Sequence, residues 1–391
     1  MAKTKRSTSG SGNIRKRSDG RWEGRYTAGI DPGTGKQIQR SIYGKTQKDV
    51  RERLRQITVD LDTGAYQEPC SMKLGEWLDI WHSEYLNNVK PHTRASYAQT
   101  IRNHIKPSLG SVRLDALTPV MMQKFINDLT KPKDDGSLLS AKTIKNIHGV
   151  VHRALNQAVR IGYLRTNPAD YCIIPKVVQK QIHPLEETQI QTFLKAIQGR
   201  EEEFLFITAL FTGMRQSELL GLQWQDIDFH TNSIFISRQL QKSKENGKGY
   251  IFVTPKNGKS RQIQPADLVF DTLRKQHHKQ NQQRMIAGSL WNNSNNLVFT
   301  NAFGGNLTHV TVSKHFKQVA CAIDRPDLRF HDLRHTYAVL SLQAGDDVKT
   351  LQENLGHHTA AFTLSVYGHV TDKMRHDSAQ RMNSYIEQIV G

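Results

Sequence analysis

The run LRFHDLRHTYAVLSLQAG, residues 328–345, crowds His331, Asp332, Arg334 and His335 into five consecutive positions. Leu333, Tyr337 and Leu340 recur at helical spacing and mark the apolar face of the same segment. A core helix gains nothing from such a cluster, so the cluster is either solvated or holding an anion. His331 and Arg334 stand three residues apart, which puts them on one helix face where both can meet the same phosphate.

Three other segments add groups of the same kind. In TGMRQSELLGLQWQDID, Arg215 follows a glycine and precedes a helix start, where backbone N–H groups also favour an anion; Glu218 and Asp226 are candidates to orient it. In YIFVTPKNGKSRQIQP, Asn257-Gly258 is the strongest short signal for a tight two-residue hairpin, with Lys256 at its lip and Lys259 as a competitor. A lysine on a mobile tip can swing toward a leaving oxygen and donate a proton. In NLGHHTAAFTLSVYGHV, His357 follows a glycine turn and Tyr367 comes ten residues later. Taken singly, the arginine reads as a salt bridge and the lysine as a solvated turn residue. Together, two arginines, two histidines, a lysine and a tyrosine without a carboxylate cluster suit metal-free phosphoryl transfer, with cations in place of a metal ion.

Composition narrows what the anion could be, although charge alone does not decide it. The 391 residues carry a formal charge of +18 with 17 further histidines, the profile of a partner for an extended polyanion, and nucleic acid fits best. A merely solubilising excess of Lys and Arg is the plainer alternative. Cys70, Cys172 and Cys321 have no paired spacing, so neither a disulfide framework nor a zinc ribbon is indicated, and a reducing cytoplasm suits them. The longest apolar run, FLFITALF, is far short of the ~20 residues that cross a bilayer, so a soluble protein without membrane contact is expected. DPGTGKQ has the ingredients of a phosphate loop, but Ile30 stands where the first glycine belongs and Gln37 where the hydroxyl belongs; it reads as a turn. A zinc site at His331, His335, His357 and His358 lacks a Cys, Asp or Glu partner at ligand spacing. No cofactor or metal is expected.

These groups need elements to position them. Residues 13–43 offer three short strands separated by SDG and DPGTG, and a helix follows over about 46–61 with Val50, Leu54, Ile57 and Leu61 in register. Residues 1–62 hold fifteen Lys or Arg against seven Asp or Glu. A sheet face bearing Arg15, Arg17, Arg21, Arg25 and Arg40 is able to enter a DNA groove as β-ribbon readers do. A helical region comes next, with stripes at Trp77/Leu78/Trp81, Tyr97/Ile101/Ile105, Met121/Met122/Phe125/Leu129 and Ile144/Ile147/Val151/Leu155/Val159. Its solvent faces carry Lys90, His92, Arg94, Arg102, Lys142, Lys145 and Arg153, enough to track phosphates. A Pro- and Lys-containing linker near 175–183 separates it from the last region. The expected fold is multidomain and mainly α with small β-sheets: 1–65 a sheet-plus-helix module, 72–175 a helical domain, 180–391 an α+β catalytic domain.

TGMRQSELLGLQWQDID, TPKNGKSRQI, HDLRHTYA and LGHHTAAFTLSVYGH, in that order, resemble the signature of the tyrosine recombinase family, particularly integrases of conjugative transposons and temperate phages. The resemblance implies that Tyr367 attacks the scissile phosphate to form a 3′-phosphotyrosyl link, while Arg215 and Arg334 clamp the non-bridging oxygens. It gives His357 a further hydrogen bond, His331 proton transfer with the tyrosine, and Lys256 the general acid, with Lys259 still open. It further implies arm-binding and core-binding DNA domains before the catalytic one, double-stranded DNA as substrate, a homo-tetramer on two duplexes, and DNA-bending accessory proteins. His358 departs from the small polar residue frequent there, and His335 and His369 need no role. The tail stripe Ala379, Met382, Ile386 and Ile389 either covers its own domain or, as in the family, docks on a neighbouring subunit. A DNA-binding regulator without catalysis, or a topoisomerase that only nicks and reseals, are the alternatives.

Overall fold

The computed structural model describes residues 13–31, 33–63, 71–133, 135–178, 183–242, 249–255, 258–357, 359 and 372–390. Its contacts divide the chain into two compact units, Met1–Gln179 and Lys180–Gly391. Most described residues are helical, and the sheets are small and antiparallel.

The first unit opens with strands β1 (Asn13–Lys16), β2 (Trp22–Ile30) and β3 (Gln37–Gly44) in the order β1-β2-β3. Helix α1 (Gln47–Asp62) follows, started by Thr46, whose hydroxyl accepts from the Asp49 N–H. Val50 and Leu54 bury the inner side of α1 against the sheet at Gly24, where there is no room for a side chain. The opposite sheet face carries Arg15, Arg25 and Tyr43 around one buried carboxylate. Glu23 is 2 % exposed and accepts from Arg15 (2.6 Å), Ser41 (2.9 Å) and Arg25 (3.2 Å). The Arg15 hydrogen bond leads the causes that hold its carboxyl down at about 2. Arg17 and Arg21 lie over the Tyr43 ring. Arg40 does not share this face: it pairs with Tyr26, and alternation turns both toward the Gly24 side.

Helices α2 (Leu74–Glu84), α3 (Pro91–Thr100), α4 (Lys106–Leu109), α5 (Pro119–Leu129) and α6 (Ala141–Arg160) enclose the main core of this unit. Trp77 is fully buried and donates its indole N–H to the Ala154 carbonyl of α6 at 2.9 Å. Between α3 and α4, Ile101–Ile105 form a single π-helical segment. Pro107 accounts for it, because its ring excludes the carbonyl four residues back and the turn widens ahead of it. The stripe predicted on α5 is shifted: Met122, Phe125 and Ile126 are buried while Met121 is exposed. On α6 the buried set includes Ala158, and Val159 is only partly covered. Asp60 of α1 accepts from Arg165 beyond α6 at 2.5 Å and from Gln56 at 3.0 Å, joining the sheet module to the helices.

The second unit contains α7 (Glu187–Ile197), α8 (Glu203–Thr212), α9 (Gln216–Leu220), β4 (Ile227–Asp228), β5 (Ser233–Ile236), β6 (Gln239–Lys242), β7 (Tyr250–Val253) and β8 (Arg261–Ile263). Helices α10 (Asp267–Ala287), α11 (His309–Ala322), α12 (Phe330–Gln343), α13 (Val348–Leu355) and α14 (Asp372–Val390) follow. Phe193, Phe206, Phe316 and Phe330 meet as tilted and edge-on rings at the centre of its core. The strands pair as β4-β5-β8 and β6-β7. The Asn257-Gly258 signal therefore does not close a hairpin between paired neighbours, because β7 pairs with β6 and β8 with β5. On α14, Met382, Ile386 and Ile389 are exposed, so this stripe does not cover its own unit. Among the described residues no helix is long and apolar enough to cross a membrane.

Trp77→Phe removes the one indole donor that binds α2 to α6. We expect a loss on the order of 2 kcal/mol, seen as roughly 30-fold faster amide exchange in α6 with no change in α8. Unchanged exchange in α6 would show that this bond does not hold the unit.

Candidate active site

Helix α8 ends at Gly213, which takes a left-handed conformation (φ 61°), and α13 ends the same way at Gly356 (φ 61°). A side chain at Gly213 would strike Tyr337 at 2.4 Å, and one at Gly356 would strike Arg261 at 2.9 Å. Both ends therefore approach their neighbours closely with carbonyls turned out of the helix, and arginines meet them.

Arg334 is 2 % exposed on α12. Its Nη1 donates to the Gly213 carbonyl at 2.8 Å and its Nη2 to the Leu355 carbonyl at 2.6 Å. Arg215 is the N-cap of α9 and donates from Nη2 to the Gly356 carbonyl at 3.0 Å. Arg261 of β8 donates from Nε to the Asn354 carbonyl at 2.8 Å. Three guanidinium groups thus hold three successive carbonyls at the negative end of α13.

One carboxylate lies among them. Glu218 of α9 has a fully buried side chain. It accepts from Arg215 Nη1 (2.8 Å), the Arg215 backbone N–H (3.0 Å), Arg261 Nη1 (3.1 Å) and Arg261 Nη2 (2.7 Å). Burial pushes its pKa up, but the hydrogen bonds and charges of Arg261 and Arg215 outweigh burial and hold it at about 2. Asp226 does not orient Arg215. It closes a short 3₁₀ turn and pairs with Arg238 at 2.7 Å instead.

His357 follows the clamped helix end, its N–H donating to the Gln352 carbonyl at 3.0 Å. Burial first, then the charges of Arg334 and Arg215, push its imidazole down to about 3. His331 has an exposed surface, yet its packed surroundings strip water from the ring and, with His335 and Arg334, hold it at about 4. The two rings at positions 331 and 335 stand edge-on at 5.0 Å. Asp332 takes no part in binding an anion: it caps α12, accepting from the Arg329 backbone N–H at 2.7 Å and pairing with its guanidinium. Both histidines that the sequence picked out are thus neutral imidazoles beside fixed cations.

Arg215 and His357 line one cavity of about 570 Å³ together with Lys259, Ser260 and Arg261. Arg334 and His331 are not in its wall, although Arg334 depresses both imidazoles. Lys256 and Tyr367 lie outside the described residues, as do His358 and His369. Sequence reasoning missed Arg261. The signal available was alternation along β8, where Arg261 shares the inward face with buried Ile263. Guanidinium groups fixed by the fold beside neutral imidazoles define a site for an oxyanion.

The phage integrase family matches residues 183–374, and the N-terminal SAM-like domain of phage integrases matches residues 73–130. The chain is 28 % identical over 366 residues to a XerC-like tyrosine recombinase of Caldanaerobacter subterraneus subsp. tengcongensis, covering 89 % of this chain and 92 % of that one. It is 22 % identical to the ICEBs1 integrase of Bacillus subtilis, covering 96 % of this chain and all of that one. Among solved structures it resembles the Tn1549 transposon integrase in complex with transposon right end DNA (TM-score 0.66, 24 % identity, 80 % of this chain and 100 % of that one). It also resembles a lambda integrase dimer bound to a core site (TM-score 0.53, 18 % identity, 94 % of this chain and 96 % of that one). The chain belongs to the tyrosine recombinases of the phage integrase family.

Two measurements follow from the electrostatics. The folded pKa of Glu218 is depressed from 4.5 to about 2. Its stabilisation is therefore complete above its unfolded value and drains as pH falls toward 2, by on the order of 3 kcal/mol in all. Glu218→Gln should flatten that part of the acid-unfolding curve of the second unit; an unaltered acid slope would remove Glu218 from the account. The histidines were also lowered from 6.5, so the unfolded chain takes up protons that the folded one refuses, and stability falls as pH drops below 6.5. In the DNA-free protein the ¹⁵N imidazole signals of His331 and His357 should stay those of neutral rings from about pH 8 to about pH 5.5. Titration of either inside that window contradicts the assignment.

Proposed function

We propose that this recombinase cleaves and rejoins double-stranded DNA at specific sites to integrate and excise a mobile element. Tyr367 attacks the scissile phosphorus, forming the phosphotyrosyl bond to the 3′ side as the bond to the 5′-oxygen breaks. The phenolic proton passes to His331, and Lys256 gives a proton to the departing oxygen, with Lys259 as the competing donor. Arg215 and Arg334 hold the non-bridging oxygens and His357 donates a further hydrogen bond. The energy of the broken bond stays in the phosphotyrosyl link, so a 5′-hydroxyl of another duplex reverses the step and completes exchange.

The observation that supports this reading best is the meeting of Arg215, Arg334 and His357 at the clamped end of α13. A neutral His331 is suited to receive a proton, and a neutral His357 avoids repelling the cations beside it. Guanidinium groups already fixed by carbonyls and by Glu218 need little reorganisation when charge builds on the phosphate. Residues 72–175 grip the core DNA, consistent with exposed Lys90, Arg102, Lys142, Lys145 and Arg153. Residues 1–65 form an arm-type DNA-binding module and 180–391 carry catalysis. The working form is a tetramer on two duplexes, to which the exposed stripe on α14 offers each subunit a contact with its neighbour. DNA-bending accessory proteins assist assembly.

A nicked duplex carrying the element's end should trap a covalent protein–DNA adduct that survives denaturation and is not diminished by EDTA. Tyr367→Phe should abolish it. Arg215→Ala and Arg334→Ala should slow its formation by at least about 10²-fold while changing DNA affinity by under about tenfold, since binding is spread over many phosphates. An undiminished adduct with Tyr367→Phe would overturn the choice of nucleophile.

A further inference from the structure

Arg261 stands where separately built parts of the site meet. Its guanidinium spans Glu218 of α9 and the Asn354 carbonyl of α13, with a side chain only 10 % exposed. It lies close enough to Gly356 that an added Cβ there would come within 2.9 Å of Nη1. Arg215 uses the same carboxylate, at 2.8 Å, and the carbonyl of Gly356. Lys259 precedes Arg261 by two residues and Lys256 by five. Lys259 lines the cavity shared by Arg215 and His357.

Nε, Nη1 and Nη2 of Arg261 each donate one N–H to a protein acceptor, a set of bonds that gives it a task without requiring it to touch the phosphate itself. Its three bonds instead fix the start of β8, two residues after Lys259, to the carboxylate and the helix end that orient Arg215 and His357. We propose that Arg261 is a positioning residue for strand cleavage, keeping the proton donor to the leaving 5′-oxygen in register with the groups that hold the non-bridging oxygens. This rests on the recombinase reading above.

The consequence separates a fault in proton donation from a fault in phosphate binding. With a 5′-bridging oxygen, the P–O bond breaks as a proton reaches the oxygen. With sulfur in that place, a thiolate leaves without one. A misplaced donor therefore slows the oxygen substrate selectively, whereas a damaged phosphate clamp slows both.

The test uses the full chain on nicked duplexes with oxygen or sulfur at the bridging position, in single turnover. Arg261→Gln is expected to slow cleavage of the oxygen substrate by about 10²-fold and to leave the sulfur substrate within about tenfold of the unaltered protein. Arg261→Lys keeps a cation for Glu218 but cannot make all three bonds. It should show a smaller loss with the same recovery on sulfur, and it carries the test if Arg261→Gln does not fold. Lys256→Ala and Lys259→Ala identify the donor by the same recovery, and Arg215→Lys should lose activity on both substrates. Equal losses on oxygen and sulfur for the Arg261 variants, or no loss on oxygen, overturn the proposal. Absence of an adduct from the unaltered protein on either duplex overturns the recombinase reading itself.

Discussion

A carboxylate with no solvent contact must be paired or protonated, and Glu218 is paired on both sides. Its two oxygens take three guanidinium N–H groups and one backbone N–H. Without it, Arg215 and Arg261 would face each other as like charges in a poorly hydrated place. The carbonyls of Asn354, Leu355 and Gly356 supply the remaining negative potential, a helix end standing in for further acids. The site therefore keeps a surplus of positive charge without flying apart, and that surplus is what an incoming phosphate can use.

Glycine makes this possible at the two helix ends. A left-handed residue turns the chain and frees the last carbonyls of α8 and α13, and Arg334 spans both through Gly213 and Leu355. The span is short because a side chain at Gly213 would already collide with Tyr337 and Leu355. Leu355, fully buried beside Leu351 and Ala338, seats the end of α13 from below. Packing thus sets where the carbonyls are, and the carbonyls set where the arginines point.

Local elements were largely legible in the sequence, because their causes are local. Thr46 starts α1, the three strands of the N-terminal sheet fall between their turn signals, and the helix start expected after TGMR is there at Gln216. Errors arose where one residue decides between faces. Met121 and Met122 differ by about 100° around a helix, and only the second is buried. Arg40 sits one step out of phase with Arg15 and Arg25, and alternation sends it to the other side of the sheet. The Asn257-Gly258 signal carries no information about which strands pair, and β7 and β8 chose β6 and β5. Arg261 escaped notice because its partners lie 43 and 93 residues away, beyond any periodicity. Asp226 was a fair candidate for Arg215, but the link between β5 and β6 brings Arg238 to it at 2.7 Å.

The state of the histidines follows from the same geometry. A protonated imidazole at position 357 would add a fourth cation beside three guanidinium groups, two of which share the Glu218 carboxylate, and burial removes the water that would otherwise spread the charge. The ring therefore stays neutral in the absence of DNA. A phosphodiester brings one negative charge, which offsets the repulsion and eases protonation of both imidazoles. Substrate and proton are then thermodynamically linked: a phosphate beside the arginines also raises the proton affinity of His331, the group proposed to take the phenolic proton. In the proposed reaction His331 is thus already in the neutral form that can take the phenolic proton, and the charge of the DNA itself stabilises the imidazolium that results.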